Sequence, residues 1–198
     1  MLSQTNLKLL LKKLLFLLFI LLFGAVQSNA QVHAYIKKYK PLAVKLSAEY
    51  DIPVSIILGV SIIESGSGKS KNCRLLNNFF GIVGKNSLRH SKTSTYHSMF
   101  KEYPNAEASF RDFCHKMAKK KFYVKLKGNN DYHAWVAAMS KSGYSQYPAL
   151  WRKNVLSVIK QYKLAPVSKN EDEQQPTESP TEQPTELPVK DTTVDTIP

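Results

Sequence analysis

The sequence predicts an α+β domain that is mainly α, with a helical lobe and a small β-hairpin lobe. Three observations lead there. Apolar residues recur at helical spacing in five stretches between residues 35 and 162. Residues 85–103 lose that period, are rich in Ser, Thr, Lys and Asn, and read as a loop followed by a short hairpin. Both ends of the chain differ in composition from the middle, so they are appendages to one domain of residues 31–166.

The amino end bears on compartment. Lys8, Lys12 and Lys13 precede an unbroken apolar run over residues 14–23, and Ser28 and Ala30 are small residues before Gln31. This is the charged, apolar and small-residue order of a secretory signal peptide, so residues 1–30 are expected to be removed. The run is short for a membrane span, and no stable span is expected after cleavage. The protein is therefore expected to be exported, to the periplasm, the cell envelope or the medium. At the other end, residues 167–198 repeat PTESP, PTEQP and PTELP, carry eight acids against two lysines, and are expected to be a disordered spacer.

Of the +13 formal charge, the first thirty residues hold three lysines and the tail a net −6, which leaves +16 on residues 31–166. Such a surface suits an anionic partner. No recognition-helix pattern or RNA-binding aromatic motif accompanies it, so nucleic acid is not expected. Two cysteines, Cys73 and Cys114, make neither a disulfide framework nor a four-ligand zinc site. An exported protein permits a bridge between them, and the sequence leaves open whether they meet. The five histidines show no HExxH or close pairing. No metal or cofactor is expected.

In chain order, Ile36, Tyr39, Leu42, Ala43, Leu46 and Tyr50 form one face of a first helix, which Pro41 is expected to kink or split. Asp51 is expected to cap the next helix, with Pro53 in its first turn. Ile52, Ile56, Val60 and Ile63 give that helix its period, and it is apolar on most sides, so it belongs at the centre of the core. Glu64 closes it, and Ser65, Gly66, Ser67 and Gly68 stop it. Burial and the negative end of the helix dipole both disfavour an ionised Glu64. A carboxyl group kept protonated near neutrality suits a general acid. A lone Glu before Ser-Gly is also an ordinary helix end meeting water.

Asn105 is expected to cap a helix with Ala106, Phe110, Phe113, Cys114 and Met117 inward. Asp131 caps the next, with Trp135, Val136 and Met139 inward. Residues 143–148, Gly-Tyr-Ser-Gln-Tyr-Pro, make a turn. Pro148 then opens a last helix with Leu150, Trp151, Val155, Val158, Ile159 and Tyr162.

Several blocks together resemble glycoside hydrolase family 73, the bacterial endo-β-N-acetylglucosaminidases that cut peptidoglycan. Glu64, Ser65, Gly66, Gly68, Ser70, Asn77, Asn78, Phe80, Gly81 and Ile82 match that family's Glu-Ser-Gly and Asn-Asn-x-Phe-Gly-Ile pattern. Phe100, Tyr103, Glu107, Ser109 and Asp112 match a second block, with Lys101 in place of the usual Arg; it reads mostly as scaffold. Gly143, Tyr144 and Pro148 match a third. The resemblance runs from about residue 35 to 164. It implies a lysozyme-like fold and a monomer acting on peptidoglycan glycan strands. It also implies catalytic roles for Glu64 and Tyr144, and a sugar cleft lined by Asn78, Phe80, Gly81, Tyr96 and Tyr147.

One departure bears on mechanism. Many family members place a second acid in the β-lobe, yet residues 87–99 contain no Asp or Glu. Glycosidases usually use two carboxyl groups. Three alternatives stay open: the substrate's own N-acetyl group acts as nucleophile, another acid such as Glu102 swings in, or the protein is a weak or dead hydrolase that only binds glycan. A lytic transglycosylase, which also works with one Glu, is the alternative enzyme.

Overall fold

The computed structural model describes residues 4–166. The spacer expected at 167–198 lies outside the described residues. Among those described, seven α-helices follow in order: α1 Gln4–Tyr50, α2 Val54–Ser65, α3 Lys71–Leu76, α4 Ala106–Ala118, α5 Tyr123–Leu126, α6 Tyr132–Lys141 and α7 Pro148–Gln161. The helix expected over 35–50 is thus the last part of a longer one. Pro41 sits inside α1 without ending it. Pro41 removes one backbone donor, and both it and Lys37, whose carbonyl loses that donor, are exposed, so water can take the bond's place.

α2 is the central helix, as its all-round apolarity predicts. Ile56, Ile57, Leu58, Val60 and Ile62 are buried, and the helix packs against α1, α6 and α7. Gly59 lets α7 come close: a Cβ there would stand 2.7 Å from Ile159 Cγ1, on a residue that is itself buried. Gly59→Val should therefore lose about 1–3 kcal/mol to overpacking, read as a lower midpoint in thermal unfolding. Unlike Ala, Val regains little of this through helix propensity.

An aromatic row joins α1, the 77–82 loop and α4. Tyr39 stacks on Phe110 at 5.3 Å, and Phe80 lies almost parallel to Phe113 at 4.1 Å. The row continues edge-on from Phe113 to Tyr144 at 6.3 Å, and Tyr144 meets Trp151 at 5.1 Å. This continuity carries the core out to Tyr144 and Trp151.

Three sequence expectations need correction. The hairpin over 85–103 is reduced to one antiparallel bridge, Val83 with Phe100, flanked by bonds such as Gly84 N–H to the Met99 carbonyl (3.0 Å). Side chains replace the missing ladder. Asn86 donates to the Ser98 and Phe100 carbonyls, both at 2.8 Å, while the Ser91 and Ser94 hydroxyls accept nearby backbone amides. Such local bonds compete with strand pairing. Second, Asp51 does not cap α2. It takes a left-handed conformation after α1 (φ 50°) and pairs with Lys127 at 3.3 Å, while Pro53 stands at the N-cap with no side-chain bond. Third, α3 and α5 were not foreseen. Cys73 and Cys114 are both buried and free. Asn105 and Asp131 cap α4 and α6 as expected, through the Ala108, His133 and Ala134 amides.

Candidate active site

Glu64 stands in the last turn of α2. The helix stops because Gly66 takes the left-handed conformation (φ 56°), where a residue without Cβ is favoured. The Ser67 amide bonds back to the Ile62 carbonyl at 2.9 Å. Buried Ser65 ties the turn shut: its hydroxyl donates to the Ser61 carbonyl at 2.6 Å and accepts from the Gly68 amide at 2.9 Å. The Ser and Gly residues that follow Glu64 thus fix the backbone of the turn that carries it.

That carboxyl group is half-buried and has one strong partner. Its Oε1 accepts from the indole Nε1–H of Trp151 at 2.7 Å. Its Oε2 faces Gly81, where a Cβ would lie only 3.2 Å away. Among the described residues no cation comes within ion-pair distance of it. Burial holds its pKa above the ordinary glutamate value, and the Trp151 bond opposes this without reversing it. The group is therefore biased toward the proton-bearing state that a general acid needs.

The loop opposite is held by side chain–backbone bonds. Asn77, left-handed at φ 50°, ends α3 and donates to the Tyr103 carbonyl at 3.0 Å. Buried Asn78 donates to the Ile82 and Lys101 carbonyls at 2.8 and 2.7 Å, and its Oδ1 accepts from the Phe80 and Ile82 amides at 3.3 and 3.2 Å. Both amide donors and both lone pairs are thereby engaged. The Phe79 amide bonds the Ser109 hydroxyl at 3.0 Å. Lys101 and the Tyr103 hydroxyl both meet Asp112, at 2.8 and 2.7 Å. The block read as scaffold is the anchorage of this loop.

Tyr144 sits across from the loop, in the turn between α6 and α7. Its hydroxyl donates to the Phe80 carbonyl at 3.2 Å. Burial first, then the nearby charge of Glu64, raise its pKa well above the ordinary phenol value, so it is a neutral donor. Glu64, Gly81 and Tyr144 therefore converge. The other expected lining residues are placed differently. Asn78 and the buried ring of Phe80 belong to the loop's support and the core. Tyr96 lies beside α3, its hydroxyl on Asn72 Oδ1 at 2.6 Å, and Tyr147 is 73% exposed.

Among the described residues, no second carboxyl group is paired with Glu64. Glu102 is exposed, and hydrogen bonds from the Ser87 side chain first, then from the Ser87 amide at 2.7 Å, lower its pKa. Glu107 pairs with Lys45 and Arg111. Two surface cavities of about 440 and 450 Å³ share Glu102, Tyr103 and Pro104, and neither includes Glu64 or Tyr144. Among the described residues no cluster of His, Cys, Asp and Glu could hold a metal ion. Sequence reasoning missed Trp151 as the partner of Glu64. The only available signal was that a buried indole N–H needs an acceptor.

A family profile described as mannosyl-glycoprotein endo-beta-N-acetylglucosaminidase matches residues 40–164, well over half of the chain. The chain belongs to this glucosaminidase family. Solved structures share the fold of this glucosaminidase-family protein. The catalytic domain of the autolysin Auto from Listeria monocytogenes is similar at TM-score 0.54 and 19% identity, over 68% of this chain and 85% of that one. The glycoside hydrolase domain of FlgJ from Salmonella typhimurium gives TM-score 0.53 and 20% identity, over 67% and 88%. A peptidoglycan hydrolase from Sphingomonas sp. A1 gives 0.51 and 20%, over 70% and 98%. A comparison with curated proteins returned no match. The profile spans α2, the 77–82 loop and Tyr144, so the converging residues lie inside the family domain.

Proposed function

We propose that this glucosaminidase hydrolyses the GlcNAc-β-1,4-MurNAc bond of peptidoglycan, with Glu64 as general acid and the substrate's N-acetyl group as nucleophile. The observation that carries this is the half-buried Glu64 carboxyl group, without an ion pair among the described residues, converging with the Tyr144 hydroxyl on the Gly81 loop. Glu64 gives its proton to the glycosidic oxygen while the acetamido oxygen attacks the anomeric carbon. The C–O bond breaks and the leaving sugar departs as an alcohol. Water then adds to the anomeric carbon, opens the oxazoline-type ring and returns a proton to Glu64. Substrate assistance is a known exception to the two-carboxyl scheme. Glu102, exposed and bonded to Ser87, is poorly placed to supply a second carboxylate.

In this scheme the Tyr144 hydroxyl turns from the Phe80 carbonyl, 3.2 Å away, to the acetamido group and orients it. Tyr144→Phe should lower kcat by about 10–10²-fold, less than a change at Glu64, because one positioned donor is lost while the acid is kept. Steady-state turnover of labelled peptidoglycan measures this.

The wall is the substrate that fits best. Two similar structures are named as a peptidoglycan hydrolase and an autolysin. The +16 charge of residues 31–166 suits a wall bearing peptide carboxylates and other anions. Residues 1–30 would direct export, the protein would act as a monomer in the envelope or outside the cell, and the small lobe around the Val83–Phe100 bridge would form one cleft wall. Digestion of purified sacculi tests the reaction. Reducing GlcNAc ends support it; 1,6-anhydro-MurNAc ends would mean a lytic transglycosylase. Binding to sacculi with no release would mean a glycan-binding protein.

A further inference from the structure

The two oxygens of the Glu64 carboxyl group are held in different ways. Oε1 accepts from Trp151 Nε1–H at 2.7 Å, whereas Oε2 faces the space that the missing side chain of Gly81 leaves open. An indole N–H only donates. In a neutral carboxyl group the carbonyl-type oxygen is the stronger acceptor, so the oxygen facing Trp151 is the one without the proton. We propose that Trp151 is a positioning residue that places the acidic proton of Glu64 on Oε2, so that the glycosidic oxygen is protonated from the Gly81 side. The proposal rests on Glu64 being the general acid.

The setting supports a fixed indole rather than an incidental contact. Trp151 is 5% exposed and lies against the Tyr144 ring at 5.1 Å. Its backbone amide bonds the Tyr147 carbonyl at 2.9 Å in the first turn of α7, which Pro148 opens. One helix start therefore sets the proton's position on Glu64. The turn just before it sets the donor from Tyr144. Gly81 complements both: with φ at 64° and any Cβ at 3.2 Å from Oε2, a side chain there would crowd the proton-bearing oxygen. The geometry gives a division of labour in which Trp151 holds one oxygen and the Gly81 loop keeps the other open.

The test removes the N–H and keeps the shape. Trp151 is replaced by 3-benzothienylalanine, an isostere with sulfur in place of N–H, and in a second protein by Trp151→Phe. The pH profiles of kcat and kcat/KM are measured on soluble peptidoglycan oligomers. The titratable group facing Glu64 is Tyr144, from the α6–α7 turn, and it stays neutral; no charged side chain of the described residues lies within ion-pair distance. The indole bond favours the carboxylate form, so losing it should move the alkaline limb to higher pH. The maximal kcat should fall about tenfold with KM nearly unchanged, since the carboxyl group is then free to turn. An alkaline limb that stays in place or moves down, or a wild-type kcat in the isostere, would overturn the proposal. A purely packing role would spare the isostere and impair only Trp151→Phe. Glu64→Gln run alongside separates the two levels. If it is inactive and the isostere behaves as wild type, only the placement of the proton is wrong. If it is fully active, the acid itself is misassigned and the proposal falls with it.

Discussion

Glu64→Gln is expected to fold like the wild type and to lose peptidoglycan turnover by about 10²–10⁴ in rate, the usual contribution of a general acid. The two side chains are nearly isosteric, and the amide oxygen can still accept from the Trp151 indole 2.7 Å away. What disappears is the transferable proton. Stability should move the other way. The folded pKa of Glu64 is raised by burial, so above the unfolded value the folded state carries a penalty for ionising this group. That penalty grows as pH rises from the unfolded toward the folded pKa, and is complete above the latter. Gln does not titrate, so the variant should be at least as stable as the wild type on the alkaline side of that window. Thermal unfolding across pH, together with turnover, checks both signs. Neutral changes at Glu102 or Glu107, which serve exposed contacts with Ser87, Lys45 and Arg111, should leave turnover close to wild type.

The largest structural effect is expected at Asn78. Asn78→Asp keeps the shape and replaces the Nδ2 donor by an acceptor. Two carbonyl oxygens, from Ile82 and Lys101, stand 2.8 and 2.7 Å from that atom in a buried site. An ionised Asp there would face both with nothing to donate, at a cost of about 3–5 kcal/mol, as for an uncompensated buried charge. The loop carrying Gly81 would loosen, so turnover should fall together with the unfolding midpoint. The pH dependence is diagnostic. This Asp would titrate above the ordinary range, its penalty complete above that pKa and relieved progressively as pH falls toward the unfolded value, when protonation restores a donor. Acidification should therefore narrow the stability gap to wild type. A gap independent of pH would mean that the network around Asn78 is not what holds the loop.

Much of this site could be read along the chain because the signals were local. The apolar run of α2, the single carboxyl group at its end and the Ser-Gly stop are consecutive residues, and the structure keeps them as read. Caps at Asn105 and Asp131 act within three residues and were equally legible. Partners distant in sequence were not. Trp151 meets Glu64 across 87 residues, and helical period could only say that the indole points inward. Asn78 was legible as part of the matched pattern, while its bond to the carbonyl of Lys101, 23 residues away, was not. α3 and α5, with six and four residues, are too short to show a period. The hairpin failed for a different reason. Its Ser and Asn side chains satisfy the backbone locally, so only the Val83–Phe100 bridge forms. Asp51 was a plausible cap by residue type, but Pro53 took the capping position and Asp51 paired with Lys127.

The protonation state of Glu64 is the point on which the chemistry turns, and a carboxyl ¹³C NMR titration measures it directly, with Glu64→Gln to assign the resonance. The expected result is one side-chain carboxyl group that titrates above the ordinary glutamate range, vanishes in Glu64→Gln, and coincides with the alkaline limb of peptidoglycan turnover. A Glu64 that titrates at or below the ordinary glutamate value, with turnover undiminished where it is fully ionised, would contradict its role as the acid.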